Sequence, residues 1–120
     1  GAVSKSDTLA RFSSRGPRLG DAAVKPEITA PGVNIVAARA QGTTLGEVID
    51  ARYTSLSGTS MATPHVAGAA AILAQQHPDW RASQLKAALV GSARPVDPSA
   101  PANAMGAGRV DVPAAIRTPV

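Results

Sequence analysis

The sequence predicts an α/β fold. Short apolar segments with strand character lie at Gly1–Val3, Val33–Ala38 and Ile49–Tyr53, and longer segments with helical spacing follow them. Strands that alternate with helices are typical of α/β proteins, in which helices cover a sheet. Only two or three strands can be identified beside one long apolar helix, so we expect the sheet to be incomplete.

The predicted strands differ in how much of each is buried. Val33–Ala38 is apolar on both faces apart from Asn34, which favours a buried strand. Ile49–Tyr53 alternates between apolar and polar residues, which favours a half-buried strand. Gly46 is then the expected bend of a hairpin whose other arm lies near Arg39–Thr44.

A long helix is predicted to follow Ser57-Gly58 and to end near Gln76. Its residues are small or apolar on nearly every side, which is typical of a buried helix. Two starting points are open. The helix either begins close to Ser60, with Pro64 inside it, or begins with Thr63 as its N-cap and Pro64 as its first residue.

The last third of the chain predicts two further helices. Leu85, Ala88 and Leu89 have the spacing of one helical face, which predicts a helix over Ala82–Ser92. Arg94–Ala104 has the composition of a loop, and Gly106-Ala107-Gly108 is expected to form a tight bend. Asp111 can cap a short helix through Pro113 to Ile116.

Composition excludes several classes of protein. Hydrophobic residues make up 44% of the 120 residues but aromatic residues only 2%, and there are 25 alanines, so the core must be thin and built from small side chains. The absence of cysteine excludes a disulfide scaffold, a thiolate nucleophile and cysteine-ligated zinc. The longest small or apolar run, Val66–Ala74, is too short to span a membrane.

The distribution of charge argues against a nucleic-acid partner, and the spacing of possible ligands argues against a metal site. The net charge is +4, but the arginines are scattered and the three aromatic residues cannot form a stacking platform. We therefore expect no nucleic-acid partner. The two histidines are far apart in sequence, so no transition-metal site is predicted.

The strongest chemical signal is the segment Gly58-Thr59-Ser60 at the start of the long helix. The N–H groups of a first helical turn are unpaired and carry partial positive charge. An oxyanion formed on a carbonyl that Ser60 attacks would meet these donors. On spacing alone, a plain helix cap is the commoner explanation of such a serine.

The continuous string from Gly58 to Gly68 resembles the nucleophile motif of the subtilisin-like serine proteases, the subtilases. The similarity extends over nearly the whole chain, through the segments Phe12–Pro17, Lys25–Ile28, Ala30–Ile35, His77–Trp80 and Gly106–Val110. It implies that residues 1–120 are an incomplete domain, the C-terminal segment of a subtilase catalytic domain. The implied fold has three layers, with a mostly parallel sheet and a long buried helix after the nucleophile. It also implies that Ser60 is the catalytic nucleophile and that Gly58 and Thr59 form the edge of the substrate pocket.

The subtilase motifs for the catalytic Asp, the catalytic His and the oxyanion-hole Asn precede the serine in the family and are not found in this sequence. His65 lies about 140° around the helix from Ser60, and His77 about 25 Å along it, so neither can be the general base. We expect His65 to face the packed side and His77 to close the helix.

Two hypotheses follow from the resemblance and from the three family motifs that this sequence lacks. In the first, the chain is part of a secreted serine endopeptidase that acts on protein or peptide substrates and pairs with the upstream half of its own domain. In the second, it is a catalytically silent fragment or interaction module that lacks the Asp and His of the triad and whose role is to associate with a complementary half. The isolated fragment is expected to self-associate. No cofactor is expected in this segment. Because the family often binds calcium, the resemblance implies that the full domain can bind it, although no calcium site can be placed in this segment.

Overall fold

A computed structural model describes residues 1–118 of the chain. Its nine elements do not alternate between strands and helices as expected, because all five strands precede the first helix. The strands are short, and the first helix is much the longest element. The elements are β1 (Ala2–Val3), β2 (Ala30–Pro31), β3 (Ile35–Ala38), β4 (Glu47–Val48), β5 (Tyr53–Leu56), α1 (Thr59–Gln76), α2 (Ala82–Gly91), α3 (Ala102–Met105) and α4 (Val112–Arg117).

The parallel part of the structure is the pair β1–β2, in which Ala2 lies opposite Ala30. Single bridges extend this pair on both sides, from Val3 to Leu9 and from Thr29 to Arg109. Helix α1 packs against both strands and against α2. A parallel pair covered by helices confirms the predicted α/β class, and it places the start of α1 beside the carboxyl end of β2.

The remaining strands form a separate antiparallel sheet with the order β3–β5–β4. The prediction of a buried strand over Val33–Ala38 is wrong. The strand begins at Ile35, it belongs to the antiparallel sheet, and its residues from Val36 to Ala38 are exposed. Apolar composition indicated burial on both faces, but within the described residues nothing covers the outer face of β3.

The predicted strand Ile49–Tyr53 and the predicted hairpin are also wrong. The hairpin joins β4 to β5, and residues 49–52 form its turn, whereas Arg39–Thr44 lies in the loop that leads into β4. The carboxylate of Asp50 accepts hydrogen bonds from the backbone N–H groups of Arg52 and Tyr53, at 2.7 and 2.9 Å. These local hydrogen bonds from a side chain stabilise a turn, so the segment is not the strand that its alternating pattern predicts.

Helix α1 follows the first of the two starting points. It begins at Thr59 and includes Pro64, which has no N–H to donate to the carbonyl of Ser60. It ends where the N–H of His77 donates to the carbonyl of Leu73 at 2.9 Å. The helix is therefore one continuous element from the motif serine to the predicted end.

The prediction that α1 is buried on nearly all sides is wrong for this chain. Ala62, Ala69 and Leu73 are buried, but Ala67 and Ile72 are exposed on the other side of the helix. The β1–β2 pair and α2 cover only one side of α1. A helix that is apolar all round consequently keeps an apolar face in contact with solvent.

Helices α2 and α4 are close to their predicted positions. Helix α2 ends at Gly91, one residue before the predicted end, and the Asp111 side chain accepts from the N–H of Ala114 at 3.0 Å to cap α4. The prediction of a loop over Arg94–Ala104 is wrong at its end, because Ala102–Met105 forms the short helix α3. None of the helices in the described part of the chain is long and apolar enough to cross a membrane.

The core is as thin as the composition predicts. Eight of its twelve buried apolar residues are alanines, and the others are Val3, Leu73, Leu89 and Val110. The accessible surface of 7467 Å² exceeds the value of about 6,000 Å² expected for a compact monomer of this length. The chain thus leaves apolar surface open that a self-contained domain would bury.

One ion-pair cluster ties the chain before β2 to α2. Glu27 pairs with Lys25 and Lys86, each at 2.6 Å. Hydrogen bonds from these two lysines lower the pKa of Glu27 below its usual range. Such partly exposed pairs contribute little to the free energy of unfolding, so the cluster does not compensate for the thin core.

We expect the isolated 120-residue chain to be oligomeric or poorly ordered at micromolar concentration. Its exposed apolar surface favours association, either into a dimer or into larger aggregates. Light scattering combined with thermal melting followed by circular dichroism measures both properties. A stable monomer with a cooperative transition would contradict the expectation.

Candidate active site

Ser60 lies in the first turn of α1, one residue after the helix begins. The residue before the helix, Gly58, has an extended backbone and donates its N–H to the carbonyl of Gly32 at 2.8 Å. Its own carbonyl accepts from the N–H of Met61 at 3.0 Å. These bonds hold the turn against the end of β2 and leave Ser60 exposed at the surface.

The backbone around Ser60 can stabilise negative charge. Within residues 1–118, the N–H of Ser60 has no hydrogen-bond acceptor. It lies at the N-terminus of an 18-residue helix, where the helix dipole places partial positive charge. A tetrahedral oxyanion is the kind of group that such a donor stabilises.

Thr59 is half-buried, and its hydroxyl faces the loop that follows β1. The Oγ1 atom of Thr59 accepts a hydrogen bond from the N–H of Ser14 at 3.0 Å. In the same loop, Ser13 is buried and its Oγ accepts from the N–H of Ala2 at 2.9 Å. Thr59 therefore links the turn at Ser60 to the parallel pair through two successive serines.

Ser57 supplies a second anchor that sequence reasoning missed. Its Oγ accepts from the N–H of Asn34 at 2.8 Å, and Asn34 has a positive φ of 54°. Asn34 lies 23 residues before Ser57, and Ser14 lies 45 residues before Thr59. No local pattern links partners so far apart in sequence, so only the fold could identify these positioning contacts.

Neither histidine of the chain forms a hydrogen bond with Ser60 in the structure. The Nδ1 atom of His65 lies 2.8 Å from the carbonyl oxygen of Met61, one turn back on the same helix. His65 is exposed, so the expectation that it faces the packed side is wrong for this chain. His77 closes α1 as predicted and stacks on Trp80 with a ring separation of 3.7 Å.

A groove of about 520 Å³ opens beside Ser60, between the first two turns of α1 and one face of the antiparallel sheet. We call it the Ser60 groove. Its walls are mainly apolar and come from β3, the 39–46 loop, β5 and α1. Its lining includes Ile35, Ala37, Leu56, Ser60, Met61 and Pro64.

Metal-ligating side chains are not grouped in the part of the chain that the structure describes. No three His, Cys, Asp or Glu residues among positions 1–118 lie close enough together to hold a metal ion. Calcium in the full domain stays a prediction.

Comparison with known proteins places this chain in a family. The model of the family described as "Subtilase family" matches residues 1–108. The subtilisin-like protease SBT4.14 of Arabidopsis thaliana is 46% identical over 93 residues, which cover 73% of this chain and 12% of that protein. The minor extracellular protease Vpr of Bacillus subtilis is 42% identical over 115 residues, which cover 92% of this chain and 14% of that protein.

A solved structure shows the same fold. Fervidolysin from Fervidobacterium pennivorans, described as a keratinolytic enzyme related to subtilisin, matches with a TM-score of 0.69 and 28% identity. The match covers 90% of this chain and 16% of that structure. The chain thus spans a small share of the proteins that it matches, and over nearly its whole length it belongs to the subtilase family.

Proposed function

We propose that this chain is the nucleophile-bearing, C-terminal segment of the catalytic domain of a subtilisin-like serine endopeptidase, with Ser60 as the nucleophile. The observation that carries the proposal is the position of Ser60. It is exposed in the first turn of a long helix, its N–H has no acceptor within residues 1–118, and a groove opens beside it. A serine that served only as a helix cap would direct its oxygen at the helix backbone. Helix α1 has no side-chain cap at its N-terminus.

In the proposed reaction, Ser60 Oγ attacks the carbonyl carbon of the scissile peptide bond and loses its proton to a general base. The N–H of Ser60 stabilises the oxyanion of the tetrahedral intermediate. The base returns the proton to the leaving amine, and water then hydrolyses the acyl-enzyme by the reverse sequence of steps. The base, its orienting Asp and a side-chain oxyanion donor would come from the upstream half of the domain.

Gly58 and Thr59 are proposed to border the bound peptide. A Cβ atom at Gly58 would meet Met61 Sδ at 3.5 Å, which is an ordinary contact, so packing within the chain does not require glycine there. Close approach of a peptide backbone would explain the missing side chain. Thr59 acts chiefly by holding the turn, through its bond to Ser14.

A second candidate function is a catalytically silent interaction module. The observation in its favour is that neither histidine within the described residues can serve Ser60 as a base, while much apolar surface stays open. The two functions differ in one property, because only an enzyme segment reacts covalently at Ser60 once its complementary half is present.

The remaining attributes of the proposed protease come from its relatives. Protein or peptide substrates follow from the protease names, and secretion follows from the word "extracellular" in the name of Vpr. No cofactor is proposed for this segment.

Covalent labelling tests the proposed function. A fluorophosphonate should modify Ser60 stoichiometrically in the full-length gene product, because a working base makes the serine nucleophilic. Ser83→Ala, which removes an exposed hydroxyl on α2, should label normally, whereas Ser60→Ala should not label at all. A folded full-length protein that remains unlabelled at Ser60 would favour the silent module.

Oxidation of Met61 should lower the activity of the full-length protein by about 10- to 100-fold, because a polar sulfoxide beside Ser60 displaces the reacting groups. Peptide hydrolysis before and after peroxide treatment measures the effect. Met61→Leu keeps Met105 as the one remaining methionine of residues 1–120 and should resist peroxide. Equal inactivation of this variant would place the sensitive residue elsewhere.

A further inference from the structure

We propose that a surface loop of this chain, residues 17–24, is a self-cleavage site of the proposed endopeptidase, and that an ion pair inside the loop holds it closed. We call it the Leu19 loop. The inference rests on the proposed function and adds a substrate to it, namely a second copy of the same protein. In the reaction the C–N bond of one peptide group in the loop breaks, and one water supplies the new carboxylate oxygen and the proton of the new amino group.

The Leu19 loop presents an apolar side chain at its tip. Leu19 is 97% exposed, the highest value of any large hydrophobic residue within residues 1–118. Residues 17–22 are all exposed, and a Cβ atom added at Gly20 would have no neighbour within 4 Å. Exposed loop tips are where proteolytic cleavage of folded proteins concentrates.

The loop is attached to the rest of the chain only at its base. Among residues 1–118, no hydrogen bond joins residues 17–24 to residues outside the loop. At the base, the N–H of Gly16 donates to the carbonyl of Asn103 at 2.9 Å, and a Cβ atom added at Gly16 would overlap the backbone of Lys25. The two ends of the loop therefore lie side by side, and the loop can open without disturbing the packing beneath it.

A small set of local interactions keeps the loop closed. The N–H of Arg18 donates to the carbonyl of Ala23 at 2.9 Å, and the N–H of Ala22 donates to the carbonyl of Arg18 at 3.0 Å. Asp21 accepts from the Arg18 guanidinium and from the N–H of Ala23, and these bonds lower the pKa of Asp21 to about 2. Ala22 has a positive φ of 56°, which is unfavourable for alanine. Opening breaks only these bonds and relieves the backbone at Ala22.

The closed loop is protected from cleavage because its tip is folded into a tight turn. A peptide that docks along a protein surface in extended form must expose its own backbone groups, and two of those in this loop are bonded to each other. Cleavage therefore proceeds through the open form, and its rate follows the population of that form when opening is fast. An exposed ion pair stabilises the closed form only slightly, so the open form is readily reached.

Two other loops of the chain are tied more firmly. In the 39–46 loop, the carbonyl of Leu45 accepts from Thr54 Oγ1 at 2.7 Å, which bonds the loop to β5. In the loop before α3, the N–H of Asp97 donates to Met105 Sδ at 3.4 Å, which bonds that loop to the helix. Of the three, the Leu19 loop is the one that we expect to open first.

Cleavage of an inactive copy tests the inference. Full-length Ser60→Ala protein, which lacks the proposed nucleophile, is mixed with the wild-type protein, and the fragments are identified by mass spectrometry. The wild-type protein should cut the inactive copy within residues 17–24. The Ser60→Ala protein incubated alone should stay intact.

A second substitution in the inactive copy tests the ion pair. Asp21→Ala should raise the rate of this cut by about fivefold, the scale set by one exposed ion pair together with one turn hydrogen bond. Asp79→Ala removes an exposed carboxylate between α1 and α2 and should leave the rate unchanged. Thermal unfolding of both variants should match that of Ser60→Ala, because the opening is local.

Two results would overturn the inference. A first cut within residues 1–120 that falls outside the Leu19 loop would remove the self-cleavage site. Equal rates for the Asp21→Ala and Asp79→Ala copies would remove the ion pair as the interaction that holds the loop closed.

Thermolysin gives a measurement that does not depend on the proposed function. Added to the Ser60→Ala protein, it should make its first cut within residues 1–120 in the Leu19 loop, and Asp21→Ala should accelerate that cut. If Ser60 of the wild-type protein reacts with a fluorophosphonate but the loop of the inactive copy stays intact, the protease stands and self-cleavage is excluded. If thermolysin opens the loop while Ser60 neither reacts nor cleaves the inactive copy, the proposed function fails and self-cleavage fails with it.

Discussion

Replacement of Ser60 by alanine is expected to abolish peptide hydrolysis by the full-length protein while leaving its fold intact. The loss should be on the scale of roughly 10⁶-fold that subtilisin itself shows when its catalytic serine is removed. Ser60 is exposed in the first helical turn, so loss of its hydroxyl should change the free energy of unfolding by less than about 0.5 kcal/mol. Turnover of a peptide substrate and thermal unfolding, measured on the same preparation, test the two parts.

The matched control is Ser83→Ala, which makes the same chemical change on an exposed face of α2. It should retain full activity and full stability. If Ser60→Ala kept more than a small fraction of the activity, another residue would have to be the nucleophile. If it lost activity together with folded structure, the serine would be a structural residue at the helix start.

The isolated 120-residue chain is expected to hydrolyse peptides and esters at least about 10⁴-fold more slowly than the full-length protein, and its Ser60 should not react with a fluorophosphonate. The reason is the missing base, because an incomplete triad keeps only the residual catalysis of binding and oxyanion stabilisation. Burst kinetics with an activated ester and mass spectrometry of the treated chain measure both properties.

Addition of the upstream half, expressed separately or fused to the chain, is the informative comparison. Restored labelling would show that the chain lacks only its complementary segment. Stoichiometric labelling of the isolated chain, in contrast, would require a base among its own residues, and the positions of His65 and His77 leave neither of them in that role.

The sequence by itself determined the family and the helices α1, α2 and α4. The string from Gly58 to Gly68 is continuous, and helical spacing repeats within a few residues, so both signals are local. The cap at Asp111 was predictable for the same reason, since its carboxylate bonds to an N–H only three residues away. The thin, alanine-rich core followed directly from composition.

The tertiary structure decided what depends on distant partners. Val33–Ala38 has the composition of a buried strand, but burial depends on what covers it, and β3 is largely exposed here. His65 and the outer side of α1 were expected to be buried, and they are exposed for the same reason. The contacts of Ser14 with Thr59 and of Ser57 with Asn34 join residues 45 and 23 positions apart. Local sequence patterns indicate the secondary structure that a segment prefers. Burial, strand pairing and the groove beside Ser60, in contrast, arise only when separate segments pack together.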